Sequence, residues 1–216
     1  VTPTHVIFDL DGTLLDTEPL YTVAAQAVVG RFGKVYDWSV KRHVVGGDPM
    51  RGARFVVEHL QLGISAEQYI EEREILMREL CKTAAAKPGA ATLIEAFHAR
   101  GIPMAIGTSS QRELAELKLS SHAFASRITH MVCSDDPGIA SGKPAPDIFL
   151  KAAHLMTANP ATCLVFEDTP KGVEAAKNAG MPVIAVPDPE MRDADFAHAT
   201  HVVDSLEAIT LSLLGL

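Results

Sequence analysis

The chain has 216 residues, room for one large domain or for a core that carries a smaller insert. Hydrophobic residues at 47%, charged residues at 21%, 15 glycines and 13 prolines are values of a globular protein and exclude a disordered or collagen-like chain. A net charge of −8 withholds the basic surface that nucleic acid or an anionic membrane would need, and three cysteines, Cys81, Cys133 and Cys163, without a CxxC pair argue against a disulfide framework or a structural zinc site.

In chain order, Val1–His5 is too polar for a secretory signal, and no apolar run approaches the ~20 residues of a membrane span. A cytoplasmic location is therefore expected. His5-Val-Ile-Phe-Asp9 is a short apolar run that ends in acids and predicts a buried strand. Asp9-Leu-Asp11-Gly12-Thr13 sets two carboxylates at its end, alternate residues of an extended segment, and follows them with a glycine. Two such acids can divide a phosphoryl transfer, one attacking phosphorus while the other moves the proton. The plain reading is that Asp-Gly makes a turn.

From 16 to 87 the pattern is helical, with Tyr21–Phe32, Arg51–Leu62 and Ala66–Cys81 and no convincing buried strand, as expected of a helical insert between core segments 1–15 and 88–216. Ala84-Ala-Ala-Lys-Pro-Gly89 reads as its outgoing hinge. Asp16 reads as the cap of the first insert helix, Glu18 as lining the hinge, and His43 and Asp48 as flanking a loop at Gly46-Gly47. Strands follow at Pro103–Gly107, His130–Cys133, Cys163–Phe166 and Pro182–Val186, alternating with helices at Ala90–Ala99, Arg112–His122, Asp147–Met156 and Gly172–Ala179. Alternating units of this kind predict an α/β fold with a doubly wound parallel sheet, whose ligands bind at the C-terminal strand ends.

Three later runs sit at such ends. Ile106-Gly107-Thr108-Ser109-Ser110 offers hydroxyls and N–H groups to a phosphate, although it also reads as an ordinary helix cap. Ser141-Gly142-Lys143-Pro144-Ala145-Pro146-Asp147 fixes one lysine in a stiff loop, where its ammonium could neutralise both carboxylate and phosphate. Glu167-Asp168 adds two acids, which beside Asp9 and Asp11 would repel unless a cation sat among them, and oxygen ligands at a phosphate site favour Mg²⁺. The plain alternative has Asp168 capping the helix that follows.

These runs, in this order, resemble the four motifs of the haloacid dehalogenase superfamily, and the insert position resembles its helical cap type. The resemblance implies a Rossmann-like core and Mg²⁺-dependent hydrolysis of a small phosphorylated metabolite through an aspartyl phosphate. It assigns Asp9 as nucleophile and metal ligand, and Asp11 as general acid and base with its backbone carbonyl on the metal. Thr108 and the Ser109 N–H would hold phosphate, Lys143 would stabilise charge, and Asp168 with Glu167, directly or through water, would complete the metal site. Leu15-Asp-Thr-Glu-Pro-Leu-Tyr21, Gly142–Leu150 and Val165–Ala176 further resemble the pseudouridine-5'-phosphatase branch. A sugar or nucleoside monophosphate is thus the expected substrate, and a monomer or weak dimer the expected state.

A β-phosphoglucomutase-like transferase is the near alternative. It is disfavoured because Tyr21 stands where that family has a histidine, and Pro49 where it has a basic residue. A receiver-like signalling domain also combines acids, Thr and Lys-Pro, but it carries its acidic pair before the nucleophile.

Overall fold

A computed structural model describes residues 2–45, 48–191 and 194–216. In chain order the elements are β1 (His5–Phe8), β2 (Leu15–Asp16), α1 (Glu18–Gly30), α2 (Trp38–Lys41), α3 (Pro49–Leu60), α4 (Ala66–Leu80), β3 (Ala85–Ala86) and α5 (Ala90–Ala99). They continue with β4 (Met104–Gly107), α6 (Arg112–Leu119), β5 (His130–Val132), α7 (Asp147–Leu155), β6 (Cys163–Glu167), α8 (Pro170–Asn178), β7 (Val183–Ala185) and β8 (His201–Val202). The chain divides into two compact units, Val1–Asp16 with Ala85–Leu216, and Thr17–Ala84.

The first unit holds a six-stranded sheet in the order β5-β4-β1-β6-β7-β8, parallel throughout. Alternate residues of its central strands feed opposite faces, as a period of two requires. Val6 and Phe8 of β1, Ile106 of β4 and Phe166 of β6 pack with Ile94 and Phe97 of α5. Ile7, Ala105 and Val165 pack on the other face with Ile148 and Phe149 of α7 and Val173 of α8. Both faces are covered, so the strands read as unbroken apolar runs. The chain leaves β1 for β4 and β5 on one side and later fills the other with β6, β7 and β8. The end of β1 is therefore the point where strand order reverses, the place for a ligand in such sheets.

In the second unit α1, α3 and α4 bury Val28, Val29, Val56 and Tyr69 around their own core. Helix starts are governed by caps. α1 begins at Glu18, three residues before the expected Tyr21, because Pro19 suits the first turn. α3 begins at Pro49 behind Asp48, whose side chain accepts from the Arg51 N–H. α6 is shorter than expected and ends at Leu119 instead of His122. Asp16 is not the cap of α1: it lies in β2, pairs with Ala85 of β3 and faces Lys87 at 3.5 Å, while Thr17 occupies the cap position. The β2–β3 ribbon and β8 escape the sequence reading, since two-residue strands carry no measurable alternation. Among the described residues no helix is long and apolar enough to cross a membrane.

Candidate active site

Asp9 stands at the first turn beyond β1, its N–H donating to the Phe166 carbonyl at 2.9 Å, so backbone pairing with β6 sets its position. The chain then turns at Gly12, with φ +84°. A Cβ there would lie 2.1 Å from Asp168 Oδ2, so only glycine lets this turn and that carboxylate share the space. Thr13, fully buried, donates its hydroxyl to Asp168 Oδ1 at 3.2 Å. Gly172, in the first turns of α8, makes the same allowance for Glu167: a Cβ would meet Glu167 Oε1 at 1.8 Å.

Oxygens of Asp9, Glu167 and Asp168 lie within 4.8 Å of one another, and all three residues are buried. Lys143 answers part of this charge. Its Nζ donates to Asp9 Oδ1 at 2.5 Å, to Glu167 Oε1 at 2.6 Å and to the Gly107 carbonyl at 3.2 Å, and sits 4.7 Å from the centre of the Phe149 ring. Burial opposes the ammonium, but Asp9 and Glu167 outweigh it and hold Lys143 above its ordinary value. Burial, reinforced by the charges of Glu167 and Asp11, pushes Asp9 up to about 8 even against Lys143. Three buried carboxylates around one ammonium leave uncompensated negative charge, and an oxygen-only donor set of this kind fits a hard divalent cation.

Glu167 is the carboxylate least suited to direct ligation. Its Oε2 accepts from the Asp168 and Thr169 N–H groups, each at 2.8 Å, and from the Thr169 hydroxyl at 3.1 Å, while Oε1 takes Lys143. Both oxygens anchor the start of α8 and the lysine. The cap of α8 is Thr169, whose hydroxyl accepts from Gly172 N–H, and not Asp168.

Asp11 belongs to a second network. Its Oδ1 accepts from Lys118 Nζ at 2.5 Å and its Oδ2 from the Ser110 hydroxyl at 2.7 Å, with the Thr108 hydroxyl at 3.5 Å. Lys118 also donates to Ser110 Oγ at 2.8 Å, and the Ser110 N–H reaches Thr108 Oγ1 at 3.0 Å. Thr108 is buried at the end of β4, whereas Ser109 is exposed.

Residues 3–180 match the family model for haloacid dehalogenase-like hydrolases. The chain belongs to that family. This haloacid dehalogenase-like hydrolase is 43% identical over 217 residues to a probable pseudouridine-5'-phosphatase of Drosophila melanogaster, covering 99% of this chain and 94% of the other. It is 42% identical over 212 residues to (DL)-glycerol-3-phosphatase 2 of Arabidopsis thaliana, covering 94% and 87%. Its fold matches the crystal structure of CbbY from Rhodobacter sphaeroides in complex with phosphate, with a TM-score of 0.84 at 24% identity over 99% of this chain and 100% of that one.

The α/β fold, the hydrolase class and the superfamily implied by the sequence are those found. The structure brings Asp9, Asp11, Thr108, Lys143, Glu167 and Asp168 to one end of this hydrolase's sheet. Ser110, read from the sequence as a phosphate-facing hydroxyl, instead donates to Asp11, and Lys118 was missed by the sequence reading altogether. Lys118 carried a signal: it falls three residues after Ala115 on α6, and both point inward, so a lysine occupies the apolar face of a predicted helix. Glu18 pairs with Lys41 at 3.1 Å within the Thr17–Ala84 unit, the His43 ring packs tilted against Phe55 with centroids 5.0 Å apart, and the Gly46-Gly47 loop lies outside the described residues.

Proposed function

We propose that this chain is a Mg²⁺-dependent phosphatase that hydrolyses small phosphomonoesters through an aspartyl phosphate on Asp9. The observation that carries the reading is that two carboxylates of one turn are held by different lysines, Asp9 by Lys143 and Asp11 by Lys118. Acids placed in distinct environments take distinct roles. An Asp9 oxygen forms the bond to phosphorus as the ester P–O bond breaks, and the leaving oxygen takes its proton from Asp11. Water then gives a proton to Asp11 as its oxygen bonds phosphorus and the Asp9 ester breaks. The proton taken from water in one cycle serves the leaving group of the next.

Thr108 Oγ1 and the Ser109 N–H bind the phosphoryl oxygens, and Lys143 offsets their charge while orienting Asp9. Asp9, Asp168 and the Asp11 carbonyl would hold Mg²⁺, with Glu167 reaching it through water; bound there, the ion neutralises the carboxylates and phosphate. The helical unit Thr17–Ala84 serves as the cap that selects the leaving group. The relatives' named substrates are both esters of a primary alcohol beside further hydroxyls, and we assign this chain to that class. Three buried cysteine thiols suit a reducing compartment such as the cytoplasm, and the chain acts as a monomer or weak dimer.

Phosphate release from glycerol 3-phosphate, pseudouridine 5'-phosphate, hexose phosphates and nucleotides tests this. Turnover should vanish in excess EDTA and return with Mg²⁺; unchanged turnover in EDTA would overturn the metal-dependent reading. A preference for secondary-alcohol or aryl esters would overturn the substrate class.

A further inference from the structure

We infer that Lys118 is a positioning residue for the reaction, which with Ser110 locks Asp11 into the orientation from which it moves the proton. The inference rests on the phosphatase reading above and goes beyond it, since Lys118 lies outside the motifs that define the chemistry. Its side chain has no exposed surface at all, yet its ammonium ends on Asp11 Oδ1 at 2.5 Å and Ser110 Oγ at 2.8 Å. Ser110 Oγ closes the ring on Asp11 Oδ2 at 2.7 Å, and the Ser110 N–H ties the ring to Thr108. Asp11 is thus gripped at both oxygens by one helix and the loop that precedes it.

Stability does not account for the lysine. A buried ion pair is commonly no more stable than apolar residues of the same volume, because desolvation offsets the attraction. The rest of the inward face of α6 is ordinary: Ala115, one turn earlier, is buried in the core of the sheet. A lysine kept there at the expense of desolvation makes sense if its partner must be held in place. Oδ1 meets a cation whereas Oδ2 meets neutral hydroxyls, so Oδ2 is the oxygen that carries the proton. Ser110, which receives a hydrogen from Lys118, can turn its own hydroxyl to accept from Oδ2 when that proton is present. The ring therefore fits both protonation states of Asp11 without moving it. In the first step Oδ2 gives its proton to the ester oxygen as the bond from Asp9 to phosphorus forms; in the second it takes one from water as that bond breaks.

General acid–base help of this kind is worth roughly 10²–10⁴-fold, and an ester whose leaving group is stable as an anion needs little of it in the first step. The test compares wild type, Lys118→Met, Ser110→Ala and Asp11→Asn on p-nitrophenyl phosphate and on the best alkyl phosphate of the panel. Lys118→Met should lower kcat/KM for the alkyl ester at least tenfold more than for the nitrophenyl ester. After mixing with acetyl phosphate, intact mass should show a phosphoenzyme that outlives that of wild type. Ser110→Ala, which removes one side of the ring, should move both readouts the same way by less, and it decides the matter if Lys118→Met does not fold. Equal losses on the two esters with no longer-lived phosphoenzyme, while Asp11→Asn shows the split, would overturn the role of Lys118 alone. Absence of the split in Asp11→Asn would overturn the acid–base assignment of Asp11 itself.

Discussion

Gly172 sits inside a helix, where alanine is ordinarily the better residue by about 0.5–1 kcal/mol. Here the sign reverses. The space a Cβ would fill is held by the Glu167 carboxylate, itself fixed by two backbone N–H groups and by Lys143. Gly172→Ala must displace Glu167 or part α8 from β6, and forced overpacking of this kind costs about 1–3 kcal/mol. We expect the variant to melt lower than wild type and to lose at least tenfold in turnover, because Lys143 loses its second carboxylate. Thermal unfolding and phosphate release check the two effects, and a variant more stable than wild type would show that helix propensity prevails.

Among the elements, α6 has its first turn tied down as its last turn holds Lys118. The Arg112 N–H donates to Asp135 Oδ1 at 2.9 Å, and the guanidinium grips Asp136 through Nε at 2.9 Å and NH2 at 2.8 Å. Burial acts to raise Asp136, but the Arg112 hydrogen bond and the Cys133 N–H prevail and hold its carboxyl below the usual 3.8. A depressed value of this kind lends stability that is present above 3.8 and is lost as pH falls through the lower folded value. Since the guanidinium is partly exposed, Asp136→Asn should destabilise by roughly 1 kcal/mol at pH 7, and the gap from wild type should close at strongly acid pH. Urea unfolding at the two pH values measures it. In the other unit the Ser65 and Gln68 side chains satisfy each other's backbone N–H groups at the start of α4, so Ser65→Ala should lower the stability of that unit by about 1 kcal/mol. Long elements such as α4 and α5 were legible because apolar residues recur with helical period over several turns. The four-residue α2 was not, and neither were the two-residue strands, whose existence depends on partners remote in sequence.

For the molecule as a whole, the acids of the candidate site were legible because each follows an apolar strand. Their division into two networks was not, because Lys118 reaches Asp11 across 107 residues of sequence. That division bears on global stability. Asp9, Glu167 and Asp168 are buried together with Lys143 as counter-charge, and the repulsion opposes folding until a cation arrives. Asp168→Asn removes one charge yet keeps an oxygen able to accept from Thr13. In EDTA the variant should therefore melt at or above the temperature of wild type. Mg²⁺ at 100 times its Kd stabilises a folded protein by about 2.7 kcal/mol, a gain the wild type should show and the variant should largely lose. The order of the two melting temperatures should thus reverse between EDTA and Mg²⁺. Equal upward shifts in both proteins would place the ion away from Asp168, and a lower melting temperature of the variant in EDTA would mean that the carboxylate contributes more through its contacts than it loses by repulsion.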